Sequence, residues 1–211
     1  MVTRPEPDTQ PLTAKGQATR ERIVHAAAEL MFRHGVAGTS TPAIRDAAGV
    51  SSSQIYHYFA DKEALTRAVI EYETRRIVGA HEQLLLRLDS LAALRAWRDV
   101  VVRTVRGTHY AGGCPLGSLS SELAEHDPDA REALAAGFTR WSGAIRDGLR
   151  HMIEHDVLRA DADADKLSLA MLAALQGGLL LTQAQRDCAA LEAALDTMIE
   201  RIEQYAVGSA G

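Results

Sequence analysis

The chain has 211 residues, of which 46% are hydrophobic, 24% charged and 5% aromatic, a composition ordinary for a globular protein. That length buries about 70% of the unfolded surface, so no staple is needed, and two cysteines, Cys114 and Cys188, cannot build a disulfide framework. A net charge of −5 argues against coating nucleic acid by bulk positive charge, although the segment from Met1 to Lys62 holds seven Lys and Arg against six Asp and Glu.

Pro5, Pro7 and Pro11 mark a polar leader, taken as residues 1–14. No charged start leads into an apolar segment and no apolar run approaches the ~18 residues of a membrane helix, so the expected compartment is the cytoplasm, with no membrane partner. Apolar residues repeat at three and four rather than two, which predicts an all-α protein of about nine helices. The first runs from about Lys15 to His34, with Ile23, Ala27 and Leu30 on one face and Gly35 past its end. Thr39, Ser40 and Thr41 offer caps, and Pro42 suits the first turn of a short helix reaching Ala48. Gly49 then makes a turn, and Ser51 caps a third helix, Ser52 to Phe59. Asp61 caps a long fourth helix, Lys62 to Leu88, which only Gly79 interrupts. Later helices are cut by Gly112-Gly113, by Asp127-Pro128 and by the Asp-rich stretch near Asp161.

Two short helices joined through Gly49 predict a helix-turn-helix, whose second helix enters the DNA major groove. Ile44, Val50, Ile55 and Phe59 have the spacing of the core that locks them, while Ser52, Ser53, Gln54, Tyr56 and His57 surround the exposed side. Such side chains bond base edges and phosphates, and Gln54 suits bidentate pairing with adenine. The serines equally suit capping and solvation alone. Lys15, Arg20 and Arg22 give the first helix a basic start suited to a neighbouring groove, or simply a solvated face.

The stretch from Gly35 to Leu65 resembles the DNA-binding domain of the TetR family of bacterial transcriptional regulators. The matching positions are Thr39, Ile44, Ala48-Gly49-Val50-Ser51, Tyr56, Phe59, Lys62, Glu63 and Leu65. Arg45 stands where the family usually has a small alanine, and Met31-Phe32 replaces a phenylalanine followed by a polar residue. The resemblance implies a three-helix DNA-binding head over residues 15–62, with Tyr56 and His57 clamping the backbone. Thr39, Thr41 and Lys62 are placed for phosphate contacts. It also implies a larger effector-binding and dimerisation domain over 63–207, followed by a tail at 208–211.

The segment from Pro128 to His155 carries an apolar stripe of Leu134, Phe138, Trp141, Ile145, Leu149 and Met152. In the next helix Leu172, Leu175 and Leu179 make one face, and Ala170, Ala174, Gly177 and Leu181 a second. The last helix repeats Leu191, Leu195, Met198, Ile202 and Tyr205. The resemblance implies that the final two helices pair with their twins, and Leu172, Leu175, Leu179, Leu195, Met198 and Ile202 are expected at that homodimer seam. It further implies a palindromic operator in double-stranded DNA, released when a small molecule enters a pocket in the middle helices. Trp97, Val101, Tyr110, Phe138, Trp141, Ile145 and Met152 are the candidate lining, suited to an apolar or aromatic effector, though each suits packing as well.

Two other chemistries are spelled out. Cys114, in Gly112-Gly113-Cys114-Pro115-Leu116-Gly117, resembles a segment in part of the family, and a thiol at a helix start with a depressed pKa would sense oxidants or electrophiles. A small buried hydrophobe is the other reading. His151-Met152-Ile153-Glu154-His155 matches the H-x-x-E-H zinc-peptidase pattern, which points to an enzyme only if a third carboxylate ligand exists, and none stands out. Asp161, Asp163 and Asp165 suit helix capping better than a calcium loop. With no nucleophile elbow and no phosphate loop, neither a cofactor nor a structural metal is expected.

Overall fold

The computed structural model describes residues 12–85 and 88–208, with side chains described outside 80–87. Most of the leader and the tail beyond Gly208 lie outside these residues. Among the described residues the chain forms nine α-helices: α1 (Ala14–His34), α2 (Thr41–Ala48), α3 (Ser52–Tyr58), α4 (Lys62–Leu85), α5 (Leu91–Gly107), α6 (Pro115–Leu123), α7 (Pro128–Glu154), α8 (Ala164–Gln185) and α9 (Ala189–Glu203).

Local chemistry sets the boundaries. Ser40 caps α2, its Oγ accepting the Ala43 amide at 3.3 Å, and Pro42 follows in the first turn where no amide donor is required. Gly49 ends α2 in the left-handed region at φ 63° and opens the turn into α3. Asp61 caps α4 through the Ala64 amide at 2.7 Å, and Asp127 and Asp163 do the same for α7 and α8. Within the acidic stretch before α8, Asp163 is thus the cap, whereas Asp161 pairs with Arg159 and Asp165 with Arg150.

α1, α2 and α3 close over Ile23, Ile44, Ile55 and Phe59, all buried. α1 packs on α4, and α7 runs along it from Arg67 beside Asp129 to Thr74 beside Gly137, so a single apolar core continues from Ile23 to Ile202. α8 lies between α7 and α9, meeting α9 at Gly178, where an added Cβ would stand 2.7 Å from the Leu191 Cα. An isolated antiparallel bridge, Leu158 with Ala206, ties the α7–α8 connection to the chain end, helped by the Arg159 amide donating to the Tyr205 carbonyl at 2.7 Å.

The sequence expectation of no membrane-length apolar segment needs correction at α8. Its 22 residues are long and apolar enough by composition to cross a bilayer. Its apolarity is divided between two faces: Leu167, Met171, Leu172, Leu175 and Leu179 lie in the core, and Leu169, Leu180 and Leu181 point outward.

Candidate DNA-binding face and effector cavity

On α3 the apolar residues turn inward and the polar ones outward. Ile55 and Phe59 are buried, while Ser52, Ser53, Gln54 and His57 are exposed and Tyr56 is 61% exposed. A bare tyrosine on a helix of seven residues is a rigid aromatic donor presented to whatever this face meets. The Arg20 guanidinium lies 5.1 Å from the Phe59 ring centroid, joining α1 to the end of α3. Lys15 and Arg22 are solvent-facing.

Four of the expected DNA contacts are engaged within the chain, Ser53 among them through a hydrogen bond between its Oγ and that of Ser51 at 2.8 Å. Gln54 completes a capping box: Ser51 Oγ accepts the Gln54 amide at 3.2 Å, and Gln54 Oε1 accepts the Ser51 amide at 2.8 Å. Bidentate pairing of Gln54 with adenine therefore requires the box to open. Thr39 is 2% exposed, and its hydroxyl donates to the Gly35 carbonyl at 2.7 Å. Lys62, half-buried, donates from Nζ to the Val36 carbonyl at 2.7 Å. Thr39 and Lys62 thus fasten the α1–α2 connection, a role that only the folded chain reveals. Thr41 is half-buried at the start of α2.

The same connection receives a contact from far along the sequence. The Val36 amide donates to Glu122 Oε2, at the end of α6, at 2.7 Å. Gly35, at φ 73°, lies so close that a Cβ there would stand 2.9 Å from the Glu122 carboxylate. Nothing in the sequence pattern signals this link, because its partners are 86 residues apart.

At the other end of α6 lies a cavity of about 240 Å³. Phe32, Val105, Tyr110 and Leu179 supply apolar walls, and Arg76, Thr182 and Gln183 supply polar ones. Thr182 is 1% exposed, and its hydroxyl has no hydrogen-bond partner among the described residues. A buried unmatched hydroxyl costs about 1–3 kcal/mol, which a ligand that accepts or donates there recovers. A larger groove of about 580 Å³ beside α7, lined by Arg140, Arg146, Asp147 and His151, is more open to solvent.

Of the pocket residues expected from sequence, Tyr110 lines the cavity. Trp97, Val101, Trp141, Ile145 and Met152 are buried core, and Phe138 is half-buried against it. A helical stripe of large apolar residues carries no mark distinguishing packing from lining. Phe32, Arg76, Thr182 and Gln183 carry no such signal in the sequence, because they come from three helices, α1, α4 and α8, rather than from one stripe. Leu172, Leu175, Leu179, Leu195 and Ile202 are likewise buried within the single chain, where they hold α8 and α9 to the core, and Met198 is half-buried. The outward face of α8 is instead Leu169, Ala173, Gly177, Leu180 and Leu181.

Cys114 is buried at the start of α6, and desolvation raises its thiol above the ordinary cysteine range. The helix start does not produce the low-pKa thiolate that the sensor reading requires. His151, Glu154 and His155 sit exposed at the end of α7, with His151 on the wall of the open groove.

A buried three-helix core presenting a polar, aromatic-bearing second helix defines a helix-turn-helix DNA-binding regulator. Comparisons with known proteins agree. Residues 90–198 match the family described as Tetracyclin repressor-like, C-terminal domain, and residues 23–69 match Bacterial regulatory proteins, tetR family. An HTH-type transcriptional regulator in the lacX 3′ region of Lactococcus lactis subsp. lactis is 30% identical over 193 residues, covering 88% of this chain and 94% of the relative. The transcriptional regulator AcuR of Cereibacter sphaeroides is 26% identical over 162 residues, covering 76% and 74%. A crystal structure of a TetR transcriptional regulator from Chloroflexus aurantiacus superposes with a TM-score of 0.75 at 28% identity, covering 92% of this chain and 98% of that one. The chain belongs to the TetR family of bacterial transcriptional regulators. It is a DNA-binding regulator and not an enzyme, so the H-x-x-E-H segment is no peptidase centre.

Proposed function

We propose that the protein is a repressor that holds a palindromic operator as a homodimer and releases it when a small molecule fills the 240 Å³ cavity. The observation that carries the reading is α6 itself. One end of this helix walls the cavity through Pro115, and the other holds the α1–α2 connection through Glu122. A ligand that shifts α6 has differential affinity for the two head positions, which is what coupling between two sites requires.

The cavity favours a compact effector with an apolar or aromatic body against Phe32, Tyr110 and Leu179 and a hydrogen-bonding end at Thr182 and Gln183. At the DNA, Ser52, Ser53, Tyr56 and His57 meet bases and phosphates, Thr41 meets a phosphate at the start of α2, and Gln54 reads a base once its cap opens. Thr39 and Lys62 act by shaping the head. The homodimer forms through the outward face of α8, where Leu169 is 65% and Leu180 66% exposed around Ala173 and the open Gly177. Exposed leucines flanking small residues permit close helix approach, and a two-fold axis there sets recognition helices about 34 Å apart.

Selection of random-sequence duplexes at fixed salt, followed by sedimentation of the bound complex, tests this reading. An enriched palindrome carrying two chains, reduced to a half-site or lost in Leu180→Arg, is the expected result. Binding of a lone chain to a non-repeated site would overturn it.

A further inference from the structure

We propose that His151 and Glu154, on the last turn of α7, and His155, at its C-cap, form a surface site for one divalent transition-metal ion of the Zn²⁺, Ni²⁺ or Cu²⁺ class. One ligand atom from each side chain lies within 4.8 Å of the others, and all three residues are exposed. The histidines stand four residues apart on one helix face, their ring centroids 4.0 Å apart and tilted by 41°.

The tautomer of one ring is set by its surroundings. His155 Nδ1 lies 2.9 Å from the His151 carbonyl oxygen. A carbonyl only accepts, so Nδ1 carries a proton, and in the neutral ring the free lone pair is on Nε2. A backbone carbonyl holding one imidazole nitrogen while the other faces a metal is the arrangement that orients metal-binding histidines generally. Glu154 takes part in no ion pair among the described residues, whereas the nearby Arg150 and Arg159 are engaged by Asp165 and Asp161. The carboxylate is therefore available, and these two arginines are matched by their own partners.

Two imidazoles and a carboxylate suit borderline ions rather than Mg²⁺ or Ca²⁺, which take oxygen sets. Three protein ligands leave a coordination position for water. The ligand atoms must draw together to meet metal–ligand distances of about 2.0–2.2 Å, a movement that exposed side chains make through rotamers without disturbing the core. An occupied site clamps the final turn of α7 where the chain leaves for α8.

Calorimetric titration of the full-length, tag-free protein with NiCl₂ and ZnCl₂ tests the proposal, with His151→Ala/His155→Ala as the control. Because both rings are exposed, the double variant should keep its circular dichroism spectrum and its DNA binding. The expected result is one ion per wild-type chain, at least tenfold weaker binding in His155→Ala, and loss of that ion in the double variant. Cu²⁺ bound to the wild type should show an electron paramagnetic resonance pattern from two nitrogens. Equal titrations for wild type and double variant, or a Cu²⁺ spectrum unchanged by the double substitution, would overturn the site.

Discussion

Gly178 marks the closest approach of α8 to α9, and replacing it with alanine sets two effects against each other. Alanine in a helix interior is favoured over glycine by about 1 kcal/mol. Its methyl would stand 2.7 Å from the Leu191 Cα and 2.8 Å from Leu191 Cδ1, well inside ordinary carbon contacts of about 3.5–4.0 Å. The Cα is backbone and no rotamer relieves it, so α9 must retreat, and overpacking of this kind costs about 1–3 kcal/mol, here toward the upper end. The balance is a net loss of about 1–2 kcal/mol, or a midpoint about 2–8 °C lower for a chain of this size. Gly79 in α4 has no described atom within 4 Å of its added Cβ, so Gly79→Ala should gain about 1 kcal/mol and raise the midpoint by about 2–4 °C. Thermal and guanidinium unfolding followed by far-ultraviolet circular dichroism, at one protein concentration, reads both. Gly178→Ala unfolding at or above the wild-type midpoint would refute the claim that glycine is there for helix contact.

Tyr56→Ala removes an exposed side chain, so operator affinity in a fluorescence titration should fall by about 1–3 kcal/mol while the unfolding midpoint stays in place; an unchanged affinity places the DNA elsewhere. Glu122→Ala deprives the Val36 amide of its acceptor, and hydrogen exchange at Val36 should quicken about fivefold, equivalent to about 1 kcal/mol at this exposed site. Protection that survives the substitution would mean that α6 does not hold the head. Burial raises the Cys114 pKa, so the folded chain retains a proton that the unfolded chain releases. Stability is full below the unfolded cysteine pKa of about 8.5 and declines as pH rises from there through the folded value. Cys114→Ser should flatten that alkaline decline in urea titrations, and an identical slope in the variant would show that the buried thiol does not contribute.

The sequence by itself determined the helices, their caps and the family. Those signals are local: Gly49 must reach positive φ, Ser40, Ser51, Asp61, Asp127 and Asp163 must bond amides three residues ahead, and apolar residues must share a helix face. The inward and outward sides of α3 followed from the same periodicity. Tertiary structure decided which apolar faces are core and which are free. Leu172 and Leu180 read alike in sequence, yet α7 and α9 cover the first and leave the second in solvent. It also decided the functional geometry: Thr39, Gln54 and Lys62 carry polar groups suited to DNA that the folded chain uses for its own carbonyls and amides. The cavity at Thr182 and the link from Glu122 to Val36 join helices distant in the chain, and only the packing of α6 against its neighbours brings them together.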